Sequence, residues 1–303
     1  MSDVVVGSFV GYKPHHLAPW INSLRASGYA GAVVVFAYAD GPNERESAGY
    51  LRRRGVEVQF RPAPRKSLVV DRFADMAAHL EGPGRHYRNV IATDLGDVIF
   101  QRDPSPFLAT LLQGEKSIVA GSEGILYADH PWNRENLLAS FPAAATTLLP
   151  LPVYNAGVIA ARRTAAVPLF REIHRLSVSS ACGNPDQVAL NLLLQGPFRS
   201  QAVLARMQDG WAAHCGVTAA PAAPGTATRL LEPPPSFEGM VARLTDGTPA
   251  CILHQYNRLP ELGPRIARHY GGAVRENWSA RVLRRWHQWL GSPAGPITRS
   301  STA

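Results

Sequence analysis

No apolar run in this 303-residue sequence approaches the roughly 18 to 20 residues a bilayer-spanning helix needs. The longest, 30–39 and 152–161, stop far short, so no membrane crossing is expected. Cysteine is scarce: Cys182, Cys215 and Cys251 are an odd number without C-x-x-C spacing. That excludes a disulfide framework and a structural zinc site, and suits a reducing cytoplasm. The start, Met1-Ser2-Asp3 followed by three valines, has no basic n-region, so no signal peptide is expected. No repeat recurs at 20 to 50 residues. Basic residues are dispersed, with Arg52-Arg53-Arg54 the densest run, and no nucleic-acid motif accompanies them, so nucleic acid is not an expected partner.

What remains describes a chain able to bury a large core: 46% hydrophobic, 18% charged, with 26 Gly and 25 Pro. Collagen-like and disordered classes are excluded. Lys+Arg 31 against Asp+Glu 23 gives +8, which favours anionic partners without choosing between nucleotide diphosphates, anionic lipid and nucleic acid. The length fits one domain with a tail.

Short β-branched runs alternate with helical patterns through the first hundred residues, the rhythm of βαβ units and an α/β fold with a mainly parallel sheet. Strands are predicted at 4–6, 32–38, 56–60 and 89–93, and helices at 17–27, 43–54 and 71–80. Beyond Asp103-Pro104 the pattern loosens to strands at 117–120 and 153–161 and a helix at 186–194; 219–235 reads as a loop.

The fourth strand runs directly into Asp94-Leu-Gly-Asp97. Ligands in open α/β sheets bind at the carboxyl ends of strands, and hard divalent cations take carboxylates plus phosphate oxygens. Side chains three apart on a strand face opposite ways, so both can reach one ion only if the chain turns; Gly96 permits the turn. The alternative is a strand cap and a turn residue. Three further segments stand out. Asn155-Ala-Gly157 interrupts a buried strand, as a ligand's close approach or a β-bulge would require. Asp186-Gln187 opens a helix containing Asn191, with Asp186 at an N-cap position. A late strand ends in His254, four residues before Arg258.

The order and spacing of Asp94/Asp97, Asn155-Ala-Gly-Val158, Asp186-Gln-Val-Ala-Leu-Asn191 and His254 resemble the metal-dependent glycosyltransferases of family 8, the galactosyltransferase and glycogenin-like group. The resemblance covers roughly residues 3 to 260. It implies a GT-A-like, Rossmann-like domain over 1–276 and a retaining hexosyltransferase moving a sugar from a nucleotide-sugar donor, a UDP-sugar foremost, to a hydroxyl acceptor: a glycan, a lipid-linked saccharide or a small molecule. It also implies Mn2+ or Mg2+ held by Asp94, Asp97 and His254. Asp186 and Gln187 match the catalytic positions. Phe9, Gly11, Tyr12, Arg72, Asn155, Gly157 and Arg258 match the donor side, with Tyr12 the candidate base contact and a solvated surface charge the alternative for Arg72. Glu123 and Asn191 fall on the acceptor side. An amide at Gln187 is a poor nucleophile, which favours front-face attack; Asp186 or Glu123 as nucleophile is the alternative.

Two features depart from the family pattern. Asp-x-x-Asp is one residue longer than the usual motif, which places more weight on Asp97 than Asp94. The usual Gly-x-x-Lys-Pro-Trp after the histidine is missing, leaving Arg258 to serve the diphosphate. Rival readings are a sugar-phosphate nucleotidyltransferase, for which the strand-one exit Gly7-Ser-Phe-Val-Gly-Tyr-Lys13 is a poor match, and a nucleotide-sugar-binding protein without turnover. In 277–290, Trp278, Val282, Trp286 and Trp289 form a stripe flanked by Arg281, Arg284 and Arg285. It reads either as an amphipathic helix lying on the inner membrane face or as one packed on the domain, within a segment 277–303 that ends in a loose tail.

Overall fold

Continuous apolar runs such as Val4-Val5-Val6 and Val90-Ile-Ala become central strands because a parallel sheet covered by helices is buried on both faces. The computed structural model describes residues 2–218 and 229–273. In chain order the elements are β1 (Val4–Phe9), α1 (Pro14–Ala26), β2 (Ala32–Tyr38), α2 (Pro42–Arg52), β3 (Glu57–Arg61), α3 (Leu68–Glu81), β4 (Asn89–Thr93), β5 (Val98–Phe100), α4 (Pro104–Leu111), β6 (Ile118–Leu126) and α5 (Pro131–Ser140). There follow α6 (Ala145–Leu148), β7 (Pro152–Arg162), α7 (Arg163–Val178), α8 (Asp186–Gln195), β8 (Ala202–Ala205), β9 (Ala212–His214), α9 (Cys215–Thr218), β10 (Ser236–Glu238), β11 (Val241–Arg243), β12 (Ile252–His254) and α10 (Leu262–His269). The fold is α/β, as expected.

The main sheet has order β3-β2-β1-β4-β7-β6-β8, with β7 alone antiparallel to its neighbours. Alternate residues of each strand feed two cores. Val4, Val6, Val34 and Phe36 pack toward α3, α7 and α8, while Val5, Val33, Val35 and Ile91 pack toward α1 and α2. Strand order reverses between β1 and β4, the place where such sheets open a crevice at their carboxyl ends.

Prolines take the first helical position of α1, α2, α4 and α5, where a missing N–H costs nothing. The sequence pattern gave no helix at 163–178, yet α7 is there. Ala166, Leu169, Phe170 and Ile173 bury one face at helical spacing, and the interior Pro168, which masks the pattern, sits exposed.

A second sheet, β5-β12-β9, stands beside the carboxyl end of β4. It places His254 in register with Val98 on one side and His214 on the other. Of the expected loop 219–235, residues 229–235 are irregular and the rest lie outside the described residues, as does the whole of 274–303 with its amphipathic segment.

Candidate metal and sugar-donor site

β4 ends at Thr93, whose hydroxyl accepts a hydrogen bond from Trp20 Nε1 of α1 at 2.9 Å, and the chain bends through 95–97 before β5 begins. The bend brings both carboxylates to one place. Ligand atoms of Asp94, Asp97 and His254 lie within 4.8 Å of one another, and His254 Nε2 is 3.6 Å from Asp94 Oδ2 and from Asp97 Oδ1. Gly96 serves the bend differently from the expectation. Its φ is not positive; a Cβ there would lie 2.7 Å from the Tyr12 hydroxyl, so glycine is needed for the Tyr12 ring to rest on the bend.

The site's electrostatics follow from burial and pairing. Arg72, expected equally as a surface charge, is 5% exposed; it pairs with Asp94 Oδ1, reaches Asp186 Oδ2 at 3.3 Å and donates to the Ala156 carbonyl at 3.2 Å. Burial opposes the Asp94 charge, but Arg72 and His254 outweigh it and hold the carboxyl well below the usual range. For Asp186 burial wins over Arg72 and pushes the carboxyl up to about 6. Asp186 is not the N-cap, since Pro185 occupies that position; its carboxylate reaches Arg72 and also accepts from the first amides of its own helix, those of Asp186 and Gln187.

Burial alone would lower His254, yet Asp97 and Asp94 raise it to about 9. Its Nδ1 lies 2.9 Å from Nδ1 of His214, a residue the sequence reading missed. Burial, reinforced by His254, pushes His214 well below its ordinary value, so it is the neutral acceptor and His254 the donor. His254 Nε2 makes no hydrogen bond although buried, and it faces two carboxylate oxygens at equal distance. A nitrogen and two oxygens so placed fit a divalent cation.

Gly157 explains its place in β7 more exactly than the expected ligand approach. A Cβ there would lie 2.6 Å from His254 Cε1 and 2.7 Å from Asp94 Oδ2. The close neighbours are the chain's own side chains of the candidate cation cluster. Gly121 on β6 does the same for His214, whose Nε2 lies 2.8 Å from where a Cβ would be.

Beside this cluster lies a buried amide and carboxylate network. Glu123 accepts from Asn155 Nδ2 at 2.6 Å, Asn133 Nδ2 at 2.9 Å and Gln187 Nε2 at 3.3 Å. Gln187 Nε2 also donates to Asn133 Oδ1 at 2.8 Å, and its Oε1 accepts from the Ala156 amide at 3.4 Å. Asn155 Oδ1 accepts from Gly157 N at 2.6 Å. Asn133, on α5, had no sequence signal, because neither α5 nor its register was legible.

Two expected contacts are corrected. Asn191 is fully buried, accepting from Tyr154 N at 2.9 Å and donating to the carbonyls of Tyr154 and Gln187 at 2.7 Å. It fastens α8 to β7 and is not on an acceptor surface. Phe9 is fully buried with its ring 6.1 Å from that of Tyr12; it backs Tyr12 and offers no face to a donor. Gly11 adopts φ +66, which only glycine takes freely, and its amide is held by the Glu44 carboxylate. Arg258 lies half-buried in the turn after Gln255, a non-glycine residue at φ +58 that swings the chain away directly after His254.

The chain matches no known family model and no curated protein. Among solved structures it is similar to the galactosyltransferase LgtC in complex with donor and acceptor sugar analogues, at 14% identity and TM-score 0.54, over 92% of this chain and 99% of that one. An active-site glutamine-to-glutamate mutant of LgtC matches to the same extent. At this identity the likeness is one of fold: the chain has the GT-A architecture of those enzymes.

Proposed function

We propose that the protein is a retaining, metal-dependent glycosyltransferase that moves a sugar from a nucleotide diphosphate donor, a UDP-sugar foremost, to a hydroxyl acceptor. The observation that carries this reading is the convergence of Asp94, Asp97 and His254 at the carboxyl end of β4, beside the strand-order reversal. A mixed imidazole and carboxylate set suits Mn2+ better than Mg2+. When bound, the cation supplies Lewis-acid stabilisation of the departing diphosphate. Likeness in fold to an enzyme solved with donor and acceptor sugar analogues supports the substrate class.

The protein's own groups divide the remaining work. Tyr12, resting on the acidic bend, stacks on the base, and Arg258 neutralises the diphosphate. Arg72 locks Asp94 Oδ1, leaving Oδ2 directed at the cluster. The amide donors of Gln187 are taken by Glu123 and Asn133, so its Oε1, held only by a long bond, is the atom it can offer beneath an anomeric carbon. Glu123 is surrounded by three amide donors and Asp186 is bound to Arg72, which leaves neither as a ready nucleophile. That supports front-face attack, in which the leaving phosphate accepts the proton of the acceptor hydroxyl. The acceptor is bound by 122–149 and 205–235. Lipid-linked acceptors at the cytoplasmic membrane face suit the basic, tryptophan-bearing 277–290. No helix among the described residues is long and apolar enough to cross a membrane.

A panel of nucleotide sugars, screened for hydrolysis and transfer with and without Mn2+, tests the reading. Turnover that falls at least 100-fold in Asp97→Asn, and in EDTA, is the expected result; undiminished wild-type turnover in EDTA overturns the metal assignment. Proton NMR of the product decides retention, since a β-linked product from an α-linked donor excludes it. A donor that raises Tm without turnover under any acceptor assigns the chain as a nucleotide-sugar-binding protein.

A further inference from the structure

At the opposite end of the sheet, a cavity of about 440 Å³ is walled by Arg85, Arg88, Arg162 and Arg163, with Tyr87 and Leu112 giving it an apolar side. Its size falls within the range of small-ligand pockets. None of its nine lining residues is acidic. Topology sets it apart from the site above: Asn89 at the start of β4 pairs with Arg162 at the end of β7, five residues from Asp94, or about 16 Å along a strand.

Three of the four guanidinium groups are pre-positioned. Arg162 donates to the Leu112 carbonyl at 2.8 Å, Arg163 to the Leu80 carbonyl at 3.5 Å, and Arg88 to Asp3 Oδ1 at 3.3 Å. Arg85 reaches in, exposed, from a short turn at Pro83–His86. Each guanidinium has five N–H donors, so most remain available. The cavity also receives the first residues of α7, which has no acidic residue in its first turn and no side-chain cap. Its amides and dipole add positive potential there. Among the described residues Arg88 pairs with Asp3 at 3.3 Å, whereas Arg85, Arg162 and Arg163 have no carboxylate ion-pair partner, so the cations lining the cavity repel one another unless an anion is bound.

We propose that this cavity is a second, metal-independent binding site for a phosphate-bearing ligand, recognised by fork-like arginine contacts and by the apolar Tyr87 and Leu112 wall. The phosphate can belong to a soluble phosphoester or to an anionic lipid headgroup, and the site does not depend on the transferase reading.

The test uses inorganic pyrophosphate as probe, titrated calorimetrically into the full chain in EDTA. Expected is saturable binding that weakens at least tenfold in Arg85→Ala/Arg88→Ala and persists in Asp97→Asn. Arg85→Ala/Thr164→Glu, which leaves the Arg88, Arg162 and Arg163 bonds in place, should weaken it likewise; thermal melts confirm folding. No saturable binding below 10 mM (about 2.7 kcal/mol), or binding unaffected by either cavity variant, overturns the proposal. Sedimentation with phosphatidylglycerol and phosphatidylcholine vesicles separates the sources. Attachment to the anionic vesicles alone, displaced by pyrophosphate and reduced in Arg85→Ala/Arg88→Ala, assigns a lipid headgroup. Pyrophosphate binding without such attachment assigns a soluble phosphoester.

Discussion

His254 and His214 face each other through their Nδ1 atoms at 2.9 Å, across the parallel pair β12 and β9, and both are buried. One of the two nitrogens must carry the shared proton. His214 is held neutral while Asp97 and Asp94 raise His254 to about 9, so the shared proton belongs to His254 Nδ1, and the His254 Nε2 side faces the carboxylate cluster. His214 is therefore a positioning residue for His254 in the proposed cation site.

His214→Phe removes the acceptor while filling most of the space. Mn2+ affinity should fall about 10- to 100-fold, the usual cost of losing such a partner. Calorimetry or Mn2+ EPR measures it, and unchanged affinity would show that His214 only packs.

Gly157→Ala places a methyl group against His254 and Asp94. The expected cost is about 1–3 kcal/mol of stability together with weakened Mn2+ binding. A variant with wild-type Tm and affinity would mean that β7 can retreat, and the tight approach would lose its role.

Asp186 gives a pH signature. Its folded-state carboxyl is raised to about 6 from an ordinary 3.8, so the stability linked to its proton is fully present below about 3.8 and is lost as pH rises through 6. Asp186→Asn, which mimics the protonated form, should gain Tm relative to wild type between pH 4 and 7. A gap that stays constant across that window contradicts the buried, raised carboxyl.

The thiols are graded by burial. Cys215 and Cys251 are buried and pushed up to about 12, whereas Cys182 is half-buried with its Sγ 3.0 Å from Asn136 Oδ1. At pH 8 a thiol reagent should modify Cys182 first and the other two only in denaturant, since thiolate is the reactive form. Fast modification of all three in the native protein would contradict this packing.

The strands 32–38 and 89–93 were legible to the residue, because a buried parallel strand is a continuous apolar run and these two are bounded by turn residues. Helix α7 was not, since Pro168 and the two arginines at its start obscure an apolar face that only contacts with α3 and β7 define. His214 carried a faint signal: Ala212-Ala-His214 and Ile252-Leu-His254 are both short apolar runs ending in histidine. Nothing in sequence says that two such strands pair.

Sequence by itself determined the α/β class, the acidic end of the fourth strand and the residue types for binding a cation, since these depend on local periodicity and side-chain chemistry. Tertiary structure decided which of them meet. The β5-β12-β9 sheet brings His254 to carboxylates more than 150 positions away, Arg72 reaches both Asp94 and Asp186, and Gly157 and Gly121 admit the histidine pair. Long-range strand pairing and close backbone approach are properties of the packed chain, and no local pattern encodes them.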